Sequence, residues 1–129
     1  MIAGIGVDIL REERMEKVWK RHGDKLVQRI LCEAERAEFS ETDKVARFLA
    51  KAFAVKEACV KALGTGFEGV GYRDVGSVHD AQGRRTLVFS AKLQKRLDKI
   101  GVVASHVSLS DDGGMVCAYV VLERRPSPP

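Results

Sequence analysis

Aromatic residues are scarce in this chain. At 6% of 129 residues they cannot dominate a core, which must be packed from Val, Leu, Ile and Ala. A domain of this size buries only a modest core by itself, and association with further copies would add to it. Cysteine is sparse too. Cys32, Cys59 and Cys117 are odd in number, far apart and set in apolar contexts. That excludes a disulfide framework and a cysteine metal site, and leaves the buried reduced thiols expected of a cytoplasmic protein. Proline is confined to a tail, residues 124–129, that reads as disordered after a single domain over residues 1–123. No apolar run reads as a membrane span or a signal peptide: the one at Met1 to Leu10 is broken by Asp8 and has no basic lead-in or small-residue cleavage site. A dense basic stripe with interleaved aromatics is missing, as is a stacking aromatic pair on any expected strand, which argues against nucleic acid and against a small RNA-binding domain.

What is present is a globular composition, 45% hydrophobic and 31% charged, with a net charge of +4. The basic excess fits either a solvated surface or an anionic ligand or acidic partner. Ile2 to Leu10 reads as a strand with Ile5, Val7 and Ile9 on one face and Gly4, Gly6 and Asp8 on the other. The two glycines leave room for close approach to the Asp8 carboxylate, which either binds something or caps the next helix. Arg11 to His22 reads as a helix with a Met15, Val18, Trp19 stripe, either docked on the core or offered to an acidic partner. Short helices follow over Asp24 to Leu31 and Glu33 to Phe39, the latter dense in Glu and Arg and expected to be exposed. After a central helix come two short strands, Val75 to His79 and Thr86 to Phe89, and a helix capped by Ser90 that turns Lys92, Lys95, Arg96 and Lys99 outward. A strand over Val102 to Ser110 sets His106, Ser108 and Ser110 on one face, and Met115 to Leu122 reads as a strand buried on both faces. The pattern is α+β, an antiparallel sheet against a long helix.

That central helix, Arg47 to Gly66, is rich in Ala, Leu and Lys and ends where Gly64 invites a left-handed cap. Thr42 or Asp43 reads as its N-cap. Charge is sparse until Lys56, Glu57 and Lys61 arrive together. Glu57 and Lys61, four apart, share a face, as a plain helical ion pair or as a functional one. Gly64-Thr65-Gly66 can offer N–H groups and a hydroxyl to a phosphate, although it is no Walker loop.

Three segments in register then carry a resemblance. Gly4-Ile5-Gly6-Val7-Asp8-Ile9, Arg47-Phe48-Leu49-Ala50-Lys51-Ala52-Phe53-Ala54-Val55-Lys56-Glu57-Ala58 with Lys61-Ala62-Leu63-Gly64-Thr65-Gly66, and His106-Val107-Ser108-Leu109-Ser110 together resemble the holo-(acyl-carrier-protein) synthases, the small single-domain 4'-phosphopantetheinyl transferases. The resemblance implies transfer of the 4'-phosphopantetheine arm of coenzyme A to a serine of apo-acyl carrier protein, leaving adenosine 3',5'-bisphosphate. It implies magnesium, or manganese in its place, on Asp8 and Glu57. Glu57, directly or through a metal-bound water, would take the serine proton, and Lys61 would stabilise the phosphates. Gly64, Thr65, Gly66, His106 and Ser108 would bind coenzyme A, the last two from a neighbouring subunit of a homotrimer. Arg11, Arg14, Met15, Val18 and Arg21 would dock the acidic carrier protein.

Two positions depart from the family pattern. Asp111 stands where many relatives have a second histidine, and Ala52 where many have arginine. Both bear on coenzyme A affinity, and both are what a non-catalytic nucleotide-binding or acidic-protein-binding module on the same fold would show. Neither touches Asp8, Glu57 or Lys61.

Overall fold

The structure is a computed structural model that describes residues 1–126. In chain order it runs β1 (Ile2–Arg11), α1 (Glu12–His22), α2 (Asp24–Ile30), α3 (Glu33–Phe39), α4 (Val45–Leu63), β2 (Val75–His79), β3 (Arg85–Phe89), α5 (Ala91–Lys99), β4 (Val102–Asp112) and β5 (Met115–Arg124), with one 3-10 turn at Tyr72–Asp74. An antiparallel sheet has the order β1-β5-β4, and β2 and β3 form a separate hairpin. The α+β architecture is as expected. No helix among the described residues is long and apolar enough to cross a membrane.

Residues of low bulk bring α4 onto β1. A Cβ on Gly4 would sit 1.8 Å from the Ala62 carbonyl oxygen, and one on Gly6 1.8 Å from that of Ala58. The glycines therefore admit a helix backbone, where the sequence suggested room beside a carboxylate. Small residues on both sides let strand and helix approach more closely than ordinary side-chain packing allows. Around this seam Leu49, Val55, Val116, Val120 and Leu122 are buried, and Leu93 and Leu97 of α5 join them.

Register settles the sheet faces. Gly6 pairs with Val120 and Asp8 with Ala118 on the α4 side; Val7 pairs with Tyr119, and Tyr119 with Ser108, on the other. Ile5, Val7, Ile9 and Tyr119 are exposed on that outer face. β5 is thus covered on one face only in the single chain, not on both. Val103 is exposed where the β4–β5 register shifts. Arg124 belongs to β5 and the Arg125 N–H donates to the Gly101 carbonyl; residues 127–129 of the expected disordered tail lie outside the described residues.

Two ends of α4 compare differently with expectation. Gly64 forms the left-handed cap at φ 80°. At the N-terminus Lys44 takes the cap position, while the Thr42 hydroxyl accepts from the Lys44 N–H. Helix α3 is not simply exposed. Glu35 is fully buried, and so is Lys56. Lys56 Nζ donates to Glu35 Oε1 and to the Val75 carbonyl, and Glu35 accepts from the Cys32 and Ser77 N–H groups at 3.1 and 3.2 Å. Two desolvated charges survive because each is paired and hydrogen-bonded. Cys59 is buried and its thiol is pushed up to about 12 by that burial, while Cys32 and Cys117 are only half-buried.

Removing one partner of the buried pair strands the other. Lys56→Met should cost about 3–5 kcal/mol of unfolding free energy, read from urea denaturation at neutral pH. Replacing Glu35 with Leu in the same chain should recover part of that loss.

Candidate functional site

The β1–α4 seam decides where three ionisable groups meet. Asp8 is one pleat beyond Gly6 on the same face of β1, so it lies against the second half of α4, from which Glu57 and Lys61 project. Lys61 does not pair with Glu57, as helical spacing allowed. Its ammonium donates to the Val7 carbonyl at 2.9 Å and to Asp8 Oδ1 at 3.3 Å. Asp8 is mostly buried there, while Lys61 keeps half its side chain exposed. Asp8 is therefore no mere helix cap: α1 starts after Arg11, with no side-chain cap bond.

Glu57 has no ion-pair partner of its own among the described residues, yet it stands in a crowded field. Burial pushes its carboxyl above the ordinary glutamate range, the Asp8 charge adds to that, and Lys61 and Arg14 pull it back. Two carboxylates facing one space, with two cations in the surrounding field, form a site of alternating charge. Arg14 was expected only to dock a partner; the structure puts it within electrostatic reach of Glu57.

The expected phosphate loop follows α4 directly. Gly64, Thr65 and Gly66 are exposed, and no added Cβ at either glycine would meet a neighbour. Arg96 from α5, which was read as outward-facing, reaches back to this loop. It donates to Thr65 Oγ1 at 2.7 Å and to the Glu68 carbonyl at 2.9 Å. Helical periodicity marked Arg96 only as non-core, and no sequence signal tied it to a loop 31 residues away.

His106 and Ser108 lie elsewhere. Register puts them on the outer sheet face beside Val121 and Tyr119, opposite the face that packs on α4. His106 Nε2 meets Glu123 Oε1 there at 2.5 Å. One chain does not bring these two residues to Asp8 and Glu57. Asp111, at the end of β4, pairs with Lys51 at 3.1 Å. The Lys51 hydrogen bond and charge hold its carboxyl below the usual range. Ala52 is buried in the core.

A cavity of about 380 Å³ opens between α1, α2 and α4. Its floor is apolar, with Met15, Val18, Leu26, Ile30, Phe53 and Tyr72, and its rim is Arg14, His22, Lys25 and Arg29. No carboxylate lines it. Of the five residues expected to dock a partner, Arg14, Met15 and Val18 line this cavity, whereas Arg11 and Arg21 stand outside it. Lys25 and Arg29 extend the basic rim onto α2.

Comparison with known proteins then adds a frame. The profile of the 4'-phosphopantetheinyl transferase superfamily matches residues 4–120. A holo-(acyl-carrier-protein) synthase of Halorhodospira halophila is 46% identical over 123 residues, 95% of this chain and 98% of the relative. The synthase from Neisseria meningitidis superposes with a TM-score of 0.91 at 40% identity, over 96% of this chain and 100% of that one. A synthase from Bacillus anthracis, solved in complex with CoA (3',5'-ADP), superposes at 0.78 with 34% identity, over 97% and 99% of the two chains.

The field at Glu57 has a measurable consequence. A carboxyl whose folded pKa is raised binds more protons folded than unfolded, so its contribution to stability falls as pH rises from the ordinary glutamate value through the raised one. In metal-free protein, Glu57→Gln should therefore raise the melting temperature at pH 7. Asp8→Asn should lower the Glu57 titration midpoint followed by carboxyl carbon NMR, and Lys61→Met should raise it. An unmoved midpoint in both variants would show that the three groups do not share one field.

Proposed function

Because the chain belongs to the 4'-phosphopantetheinyl transferase superfamily, among its holo-(acyl-carrier-protein) synthases, we propose that Asp8, Glu57 and Lys61 carry the transfer of the 4'-phosphopantetheine arm of coenzyme A to a serine of apo-acyl carrier protein. The observation that carries this reading is the convergence of the three groups across the β1–α4 seam, with Lys61 on Asp8 and the Asp8 charge felt at Glu57.

The donor set suits a hard divalent cation. Asp8 and Glu57 supply carboxylate oxygens, and among the described residues no group of three or more His, Cys, Asp or Glu completes a metal cage. That is the pattern in which one or two carboxylates share the ion with substrate phosphates and water. Magnesium, or manganese in its place, would neutralise pyrophosphate charge as the P–O bond breaks.

The protein's own groups do the rest. The serine hydroxyl oxygen attacks the phosphorus that bears the pantetheine arm. Its proton passes to the Glu57 carboxylate. The bond to the second phosphate breaks and adenosine 3',5'-bisphosphate leaves. Lys61, half exposed beside Asp8, stabilises the charge on that leaving phosphate. Gly64, Thr65 and Gly66 line the coenzyme A phosphates. Asp111 takes up the charge of Lys51 within the chain, so neither departure from the family pattern disturbs the three reacting groups.

The carrier protein docks on α1 and α2. An acidic helix finds the basic rim of Arg14, Lys25 and Arg29, and an apolar side chain fills the floor between Met15, Val18 and Phe53. Arg11 and Arg21 widen that basic surface. The chain works as a homotrimer with sites at the subunit interfaces. The exposed Ile5, Val7, Ile9 and Tyr119 form an apolar sheet face that calls for a cover, and His106 and Ser108 share that face. A neighbouring subunit packed there would carry them to the coenzyme A of the next site.

Intact mass of an apo-carrier protein incubated with coenzyme A and magnesium should rise by one phosphopantetheine arm. Glu57→Ala and Asp8→Ala should each slow that rise by about 10²–10⁴-fold with the fold retained, and normal transfer in either variant would sink the assignment. Co-refolding inactive Glu57→Ala with His106→Ala should restore activity, since a mixed trimer contains some interfaces with both residues intact. Mixtures as inactive as their parents would place the site within one subunit.

A further inference from the structure

The guanidinium of Arg96 reaches this site from α5, and the chemistry above does not use it. Helix α5 holds it on a firm base, since Leu93 and Leu97 on the neighbouring turns are each 1% exposed. The loop it grasps is lightly held at its glycines. Gly64 and Gly66 have φ values of 80° and 60° with open space where a side chain would be, and the nearest anchors are the α4 cap behind and Phe67, packed against the Tyr72 ring at 4.6 Å, with buried Val70 ahead. Arg96 spans this interval with two arms, one on the Thr65 hydroxyl and one on the Glu68 carbonyl. A forked, planar donor fixes two points of a loop at once, which a single ammonium does not.

The chemistry of that grip is directional. A hydroxyl has one proton and two lone pairs, whereas a guanidinium has donors only. Arg96 therefore occupies a lone pair of Thr65 Oγ1 and leaves the hydroxyl proton pointing elsewhere. The loop's open side is where a phosphate would come. We infer that Arg96 is a positioning residue for coenzyme A: it turns Thr65 into a dedicated hydrogen-bond donor and holds Gly64-Thr65-Gly66 in the shape that receives a phosphate. This rests on the reading of that loop as the phosphate site. Arg96 adds a positive charge to the rim as well, but its two hydrogen bonds, rather than its charge, do the positioning.

The test measures kcat and the KM values for coenzyme A and apo-carrier protein in Arg96→Ala, Arg96→Lys, Thr65→Ala and the Arg96→Ala/Thr65→Ala double variant, together with calorimetric binding of adenosine 3',5'-bisphosphate. Arg96→Ala should raise the coenzyme A KM about tenfold, the worth of one hydrogen bond to a charged group, and weaken the bisphosphate to match, while kcat and the carrier KM stay within about twofold. Arg96→Lys, which keeps the charge and loses the fork, should behave like Arg96→Ala. The double variant should be no worse than the poorer single one, because both remove the same donor. Amide exchange over residues 64–69 should quicken in Arg96→Ala. Full rescue by lysine, or multiplying effects in the double variant, would overturn the positioning role. If Thr65→Ala raises the coenzyme A KM and Arg96→Ala does not, the inference alone fails. If neither variant changes it, the loop is not the phosphate site and the inference falls with that reading.

Discussion

Everything at the site depends on how closely a helix backbone lies on a strand backbone. With a Cβ at Gly4 or Gly6 held 1.8 Å from a carbonyl oxygen of α4, no side chain fits at either position without moving the helix away. The consequence reaches two residues further along β1. Asp8 has the same facing as the glycines and is carried to the flank of α4, where Lys61 spans to it and Glu57 feels its charge. Glu57 is partly buried on the same helix, and that burial comes first among the causes of its raised pKa. Sterics thus set the electrostatics: a wider seam would leave two ordinary solvated carboxylates and a helical ion pair.

The sheet divides the proposed site residues between its faces. The inner face buries Val116, Ala118, Val120 and Leu122 against α4 and brings Asp8 with them. The outer face puts His106 and Ser108 among Ile5, Val7 and Tyr119, with Glu123 facing His106. Exposed apolar residues in that number, on adjacent strands and in register, are poorly explained by a lone chain with so few aromatics to spend on its core. Scarcity of large side chains and an uncovered sheet face both favour the proposed packing of copies against one another.

The sequence was most informative where local rules decide. The left-handed cap at Gly64, the Ser90 cap of α5, whose hydroxyl accepts from the Leu93 N–H at 3.1 Å, and the alternation of side chains along β1 all follow from spacing and residue type. The approach of Asp8, Glu57 and Lys61 was reachable only through resemblance, since no spacing rule joins position 8 to position 57. Glu35 and Lys56 were misread or left unassigned for a physical reason. Whether a charge is buried depends on a partner that comes from another element, here Glu35 from α3 and the Val75 carbonyl from β2. Arg96 was missed for the same reason, because its partners are a distant hydroxyl and a backbone carbonyl.

Lys56 and Glu57 are adjacent on α4 and show how one helix serves core and site together. Neighbours on a helix point about 100° apart, so the direction of one fixes that of the other. Lys56 enters the fold and gives its ammonium to Glu35 and Val75, with α3 and β2 both engaged. A buried ion pair is weak evidence of net stabilisation, but its geometry is exacting: turning α4 about its axis would pull Lys56 from both acceptors and strand two charges without water. That penalty resists rotation, and what it holds in place is the Glu57 carboxylate, facing Asp8 across the seam. The glycines set how near the helix lies, and the Lys56–Glu35 pair sets which way it faces. Among the described residues Glu57 is left without an ion-pair partner of its own, which is the condition a proton acceptor needs.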